Sequence, residues 1–415
     1  MRYPITLRVA GSLLLAGSAL ALTTSAAHAA DFYLVARGFD ATLPDGAVVP
    51  MWGFAECDAT FTSCGPTTSP GPTLRVPPGE PSPVVLNLHV RNELAVPTSA
   101  YIPDQLAALS PVKFTDAMGR ARVRSLTAET PAGGDGLYTW PDLRPGTYLY
   151  HSGTHPQVQV QMGLLGVLVY DAAPGVAYPG VPYDAEALLV YSEIDPALHA
   201  AVADGTYGTP AYPSTFDYKP TYFLVNGAPY TPGTPPLSVG EPGDRVLLRL
   251  VNAALGHRAP QLLGGYLSLV AEEGHPLAFP GERYGTFLGA GTTQDAIFVA
   301  GAEGVYPIYD RMGSLTTNNV SGGGSYAFLS VAHNALVNVT PAPLSGSPAA
   351  GRPSAPQQDL TPGTPDPAGL DAPADRGAFG CGAAETGGAG GLALMIALAL
   401  GALVGVRRRG GWRRS

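Results

Sequence analysis

The sequence predicts an all-β protein built from two sandwich domains, and three observations lead there. Short runs rich in Val, Leu and Tyr recur between Gly, Pro, Asn and Asp, no long stretch repeats at the helical period, and one strand pattern occurs twice. In chain order the runs are 83–90, 146–150, 163–170, 187–191, 245–251 and 266–270. In the first half, Pro70 to Gly79, an apolar run and Arg91-Asn-Glu-Leu94 follow one another. Pro236 to Gly243, an apolar run and Val251-Asn-Ala253 repeat that order in the second. Two homologous domains explain the repetition, and the join falls in the Pro/Gly-rich stretch 173–182. This sets the domains at 30–175 and 176–340. Composition agrees: 53 Gly and 42 Pro in 415 residues supply tight turns, and 45% hydrophobic residues supply two cores.

The ends read differently from the middle. Met1-Arg2, an apolar stretch from Ile5 to Leu22 and small residues at Ala27 and Ala29 describe a secretory signal over residues 1–29, cut after Ala29. The mature chain is therefore expected in the periplasm or at the cell surface. There Cys57 and Cys64, in a Gly/Pro/Thr-rich loop, are expected to close a small disulfide, although their spacing leaves a metal site open. Residues 341–378 hold almost no large apolar side chain, and so predict a disordered linker. After it come Phe379-Gly-Cys381-Gly382, an apolar run over 391–406 and the terminal arginines 407–409, 413 and 414. The run predicts a short membrane segment with the arginines on the cytoplasmic side. This order is similar to the C-terminal sorting tails of bacterial surface proteins, which implies processing or lipidation at Cys381 by sorting machinery; a simple tail anchor is the alternative. A net charge of −9, with no Lys/Arg cluster before the last residues, argues against a nucleic-acid partner.

The motifs also carry a resemblance. The Pro70-Gly-Pro-Thr-Leu74 entry, the following Asn92-Glu-Leu94, and Gly146-Thr-Tyr-Leu-Tyr-His-Ser-Gly-Thr-His155 leading to Met162-Gly-Leu-Leu-Gly-Val-Leu-Val169 resemble the first plastocyanin-like domain of bacterial multicopper oxidases. Phe223 to Gly227, Gly243 to Val246, Arg249 to Asn252, Leu269 to Gly274 and Gly304 to Tyr309 are similar to the second. The resemblance runs over residues 31–339. It implies Greek-key cupredoxin-like domains, copper as cofactor and a copper-dependent oxidoreductase.

The ligand inventory does not complete that chemistry. In this family a blue copper is held by Cys and two His, and a three-copper cluster by four His-x-His pairs, matching thiolate and imidazole to the metals they suit. Here eight histidines stand at 28, 89, 151, 155, 199, 257, 275 and 333, and no two are separated by a single residue. Where the family pattern expects Thr-Ser followed by His-x-His, this chain reads Thr98-Ser99-Ala100-Tyr101-Ile102. The second pair is stretched to His151-Ser-Gly-Thr-His155. If extended, that stretch separates the imidazoles by about 13 Å; a bulge at the turn-prone Ser152-Gly-Thr154 would bring them together. The candidate copper site is thus His151 and His155, with Met162, His257 or His275 as further ligands.

Three functions follow. One is a structural or binding module with degenerate copper sites, displayed at the surface. Another is a protein holding one copper at His151 and His155. The third is an oxidase in which a homo-oligomer completes the cluster between subunits, although the missing pairs imply that oxidase activity is lost. Glu193, Asp135 and Asp142 show no spacing of a catalytic pair.

Overall fold

The computed structural model describes residues 28–333, apart from 81 and 117, and residues 343–346. All of these fall in one compact unit, residues 1–364; a second unit, 365–415, lies outside the described residues. So do the expected signal segment up to residue 27, Cys381 and the apolar run 391–406. No helix among the described residues is long and apolar enough to cross a membrane.

The first sandwich begins with β1 (His28–Thr42), β2 (Val48–Glu56), β3 (Thr68–Ser69), β4 (Leu74–Val76) and β5 (Val84–Asn92). It continues with β6 (Val112–Thr115), β7 (Ala121–Ser125), β8 (Asp135–Trp140), β9 (Gly146–His151), the helix α1 (Pro156–Met162) and β10 (Leu165–Tyr170). One sheet runs in the order β3-β2-β1-β5-β8, and the facing one β4-β10-β9. In β5 the pleat does the sorting: Val84, Leu86, Leu88 and Val90 point inward, while Asn87, His89 and Arg91 point out. Those inward residues meet Tyr138, Trp140, Tyr148 and Tyr150 across the core. Each such side chain contributes about 1.5–3 kcal/mol by leaving water.

The second sandwich repeats this pattern. The small pair β11 (Val176–Tyr178) and β12 (Val181–Pro182) leads to β13 (Ala185–Ile194), the helix α2 (Pro196–Asp204) and β14 (Tyr222–Val225). Then come β15 (Leu237–Ser238), β16 (Arg245–Asn252), β17 (Pro260–Leu262), β18 (Leu267–Glu272) and β19 (His275–Arg283). They are followed by β20 (Thr293–Val299), β21 (Gly304–Asp310), β22 (Thr316–Thr317), β23 (Val320–Ser321) and β24 (Tyr326–Val331). The parallel pair β1/β5, with Leu34 opposite Val90, has its counterpart in β13/β16, with Leu189 opposite Leu250. Likewise β4/β10 corresponds to β15/β24, both parallel. The duplicated sequence pattern is therefore a duplicated strand arrangement.

The two sandwiches share an apolar seam. Leu149, Val160, Leu165, Val167 and Val169 of the first pack with Val190, Val251 and Ala253 of the second. This explains why β9 and β10 read as continuous apolar runs: all twelve of their residues are buried, one face in the domain core and the other in the seam.

Several elements differ from the sequence expectation. The run expected at 163–170 starts as a strand only at Leu165, because Gly163 caps α1 at φ +117°. A Cβ there would stand 2.2 Å from the Trp52 carbonyl oxygen, so glycine is required. The helix α2 was legible in principle, since Asp195 accepts a bond from the Ala197 amide as N-cap and Pro196 opens the first turn. Residues 343–346 correct part of the expected linker: Leu344–Ser345 forms β25, pairing antiparallel with Thr68 and Ser69. The edge of β3 supplies backbone partners that composition does not reveal. Cys57 and Cys64 are joined as a disulfide with their Cα atoms 4.0 Å apart.

Candidate functional site

His151 ends β9. Its backbone exchanges two hydrogen bonds with Tyr101, at 2.8 and 2.9 Å, and its other neighbour is Leu165 of β10. The ring is buried, 8% exposed, and its Nδ1 lies 2.8 Å from the Ser152 carbonyl oxygen. A carbonyl accepts only, so Nδ1 carries the proton and Nε2 the lone pair. Tyr101 stands edge-on to the imidazole at 5.5 Å. Burial holds the His151 pKa below its ordinary value.

His155 sits in a different setting. It is buried, 6% exposed, and caps α1 from the left-handed region at φ +40°. That conformation costs about 1 kcal/mol for a residue with a Cβ. Its amide donates to the Arg124 carbonyl, and its own carbonyl accepts from Val158 and Gln159. Thr154 meanwhile bridges Ser125. The two histidines thus belong to separate backbone neighbourhoods, His151 beside Tyr101 and His155 beside Arg124.

What surrounds them is a neutral hydroxyl and amide network. Gln159 Oε1 accepts from Ser152 at 2.7 Å and Thr98 at 2.9 Å, while its Nε2 donates to the Pro97 carbonyl at 2.8 Å. Thr154 donates to Ser99 at 3.0 Å and lies 3.1 Å from Ser125. All of these side chains are 0–1% exposed. Ala100 and Ile102, at the positions where the family pattern expects His-x-His, are 2% and 0% exposed and belong to the hydrophobic core.

The donor set can be tested against copper. The two cysteines among the described residues are consumed in the disulfide, so neither offers a thiolate. No group of three His, Cys, Asp or Glu side chains among the described residues is placed to hold a metal ion. Met162 is 1% exposed and packs in the first core, because α1 turns it inward beside Val158. His257 is exposed, accepting a bond from the Ala290 amide at 3.2 Å. His275 is exposed too, its Nδ1 2.8 Å from the Glu273 carbonyl oxygen. Neither is brought into a metal-holding group with His151 and His155. The described residues do not fit the blue copper or the three-copper cluster of multicopper oxidases.

Two buried ionic groups were invisible to spacing. Glu193, read as isolated, pairs with Arg258 and accepts from the Leu255 and Gly256 amides. Arg249, 0% exposed on β16, donates to Glu186, Asp171 and Thr147 at 2.7–3.0 Å. The signal was an arginine inside the apolar run 245–251, since a cation is buried only when paired.

His199 on α2 gives a pH expectation. It is 0% exposed, its Nδ1 lies 2.7 Å from the Pro50 carbonyl oxygen, and its Nε2 has no hydrogen-bond partner. Burial lowers its pKa from the ordinary 6.5, as it does for His151. The unfolded chain then binds protons that the folded one refuses. This contribution to stability is fully present above about pH 6.5 and is lost as pH falls below it, by at most about 1.4 kcal/mol per pH unit for each histidine. Buried Asp295, whose pKa is raised by desolvation, acts in the opposite sense. The comparison is therefore with His199→Gln, whose urea midpoint is expected to fall less than that of the native chain from pH 7.5 to 5.5; parallel falls would refute the assignment.

No protein-family model matches the chain, and no curated protein matches it. Solved structures do. The blue copper oxidase of Nitrosomonas europaea aligns with TM-score 0.58 at 18% identity, covering 73% of this chain and 86% of that one. The multicopper oxidase mgLAC aligns with TM-score 0.58 at 20% identity, over 75% and 88%. The copper nitrite reductase of Nitrosomonas europaea aligns with TM-score 0.54 at 20% identity, over 74% and 95%. At these identities the likeness speaks for architecture: the chain has the cupredoxin-like β-sandwich fold of multicopper oxidases and copper nitrite reductases.

Proposed function

We propose that this chain is an exported, surface-tethered cupredoxin-like module that keeps a multicopper-oxidase scaffold without its oxygen-reducing copper chemistry, and that works by binding. The observation that carries this reading is the burial of Ala100 and Ile102 in the core, beside the closed Thr98–Ser152–Gln159 network. A stripped site would leave polar side chains without partners, at about 1–3 kcal/mol each. Here the hydroxyls and the amide satisfy one another. Export rests on the N-terminal segment and tethering on the linker, Cys381 and the C-terminal apolar run.

The test is to load the exported chain with copper, dialyse it against a chelator, and record metal content, visible spectrum and oxygen uptake with a phenolic donor. Colourless protein without retained copper or uptake is expected. A blue band or turnover would overturn the reading. Stoichiometric colourless copper that disappears in His151→Ala and His155→Ala would replace it with a one-copper protein.

A further inference from the structure

The second sandwich carries a cleft of about 390 Å³, lined by Ala259, Gly285, Thr286, Phe287, Arg311 and Met312. That volume lies in the range of small-molecule sites. Both walls are anchored to the same stretch of chain. On one side Asp310 accepts from the Ala259 amide at 2.7 Å and the Met312 amide at 3.0 Å, and the Arg311 amide donates to the Ala259 carbonyl. On the other, the Thr286 amide donates to the Pro260 carbonyl, and residues 285 and 288 bridge Gln261 and Arg258. Gln294 completes that wall, donating to the Phe287 carbonyl at 3.1 Å while it accepts from the Thr286 hydroxyl at 2.8 Å. The cleft is therefore preformed, and a ligand need not order it.

Its lining is apolar with one charge. Phe287 and Met312 are 58% and 56% exposed, large apolar surface that the fold leaves uncovered. The His257 ring backs Phe287 at 5.0 Å. Arg311 is the cleft's sole charged lining residue, and its guanidinium has no ion-pair or hydrogen-bond partner among the described residues. The acids behind the wall face inward: Glu193 is met by Arg258 and two amides, and Asp310 Oδ1 accepts from two amides while its buried Oδ2 has no hydrogen bond and lies 3.8 Å from the Arg258 guanidinium. An unpaired guanidinium fork beside an exposed ring and a thioether matches a flat apolar body bearing one carboxylate. We infer that this cleft binds small aromatic monoanions, holding the carboxylate at Arg311 and the ring between Phe287 and Met312. None of the cleft's lining residues belongs to the His151–His155 segment.

Isothermal titration of the full exported chain with 2-naphthoate tests it. One site per chain is expected, with Kd of about 1 mM or tighter. The neutral isostere 2-naphthamide binds about tenfold more weakly, a charge-assisted bond being lost. Arg311→Gln removes the preference for the anion, and Phe287→Ala weakens both ligands. Met312→Glu removes the thioether contact and so weakens both ligands, but it weakens naphthoate more than the amide because the new carboxylate repels it, which separates a charge effect from loss of folding. Absence of saturable binding, equal affinity for acid and amide, or an Arg311→Gln chain that still prefers the acid would each overturn the inference.

Discussion

Arg249→Met is expected to lower folding stability by about 3–5 kcal/mol, because it strips the cation from a group of buried acids. Arg249 reaches from β16 of the second sandwich to Asp171 and Thr147 of the first, and Thr147 passes a hydrogen bond on to Asp295 at 2.8 Å. Tyr178 donates to the other oxygen of Asp295, and Tyr183 to Asp171. Burial alone would lower the Arg249 pKa, but Asp295, Glu186 and Asp171 outweigh it and hold the guanidinium charged. With methionine there, Glu186 keeps its partner Arg75, but Asp171 and Asp295 are left without a cation, and each gains by taking a proton. The deficit should therefore be larger at pH 8 than at pH 5, since a carboxyl with a raised pKa is neutral on the acid side. Urea denaturation at both pH values measures this. A loss under about 1 kcal/mol would mean that the seam is held by its apolar contacts alone.

The double substitution Ala100→His and Ile102→His, which writes the family's histidine pair into the chain, is expected to destabilise it by about 3–5 kcal/mol without creating a copper site. Ile102 is fully buried, so its removal forfeits core packing, and an imidazole in its place needs partners that a hydrocarbon core lacks. At Ala100 the larger ring overfills a close-packed position. The hydroxyl network occupies the remaining polar contacts around Gln159. Thermal unfolding together with metal analysis decides the matter. A stable double variant that takes up stoichiometric copper would show that the site is vacant rather than rebuilt, and would count against the binding-module reading.

Much of the architecture was legible because its signals are one-dimensional. Alternation in Val84 to Asn92 and apolar continuity in Leu165 to Tyr170 each follow from which faces a strand buries. The helix α1 was not read, since Pro156 to Met162 spans only about two turns and its alternating Gln-Val sequence also suits a strand. Nor was the role of Glu193, whose partner Arg258 stands 65 residues away.

By itself, the sequence determined the β class, the duplicated strand pattern and the want of any His-x-His pair, because periodicity and ligand identity are properties of neighbouring residues. Tertiary structure alone decided what fills the place of the expected copper ligands. Thr98, Ser125, Ser152 and Gln159 come from separate elements and meet only when the loop after β5, the end of β7 and the start of α1 close on one another. The cleft beside Arg311 has the same origin, in three connecting segments before β17, after β19 and after β21 that only the folded sandwich brings together. Hydrogen-bond satisfaction and burial depend on such long-range meetings, and no local pattern in the chain encodes them.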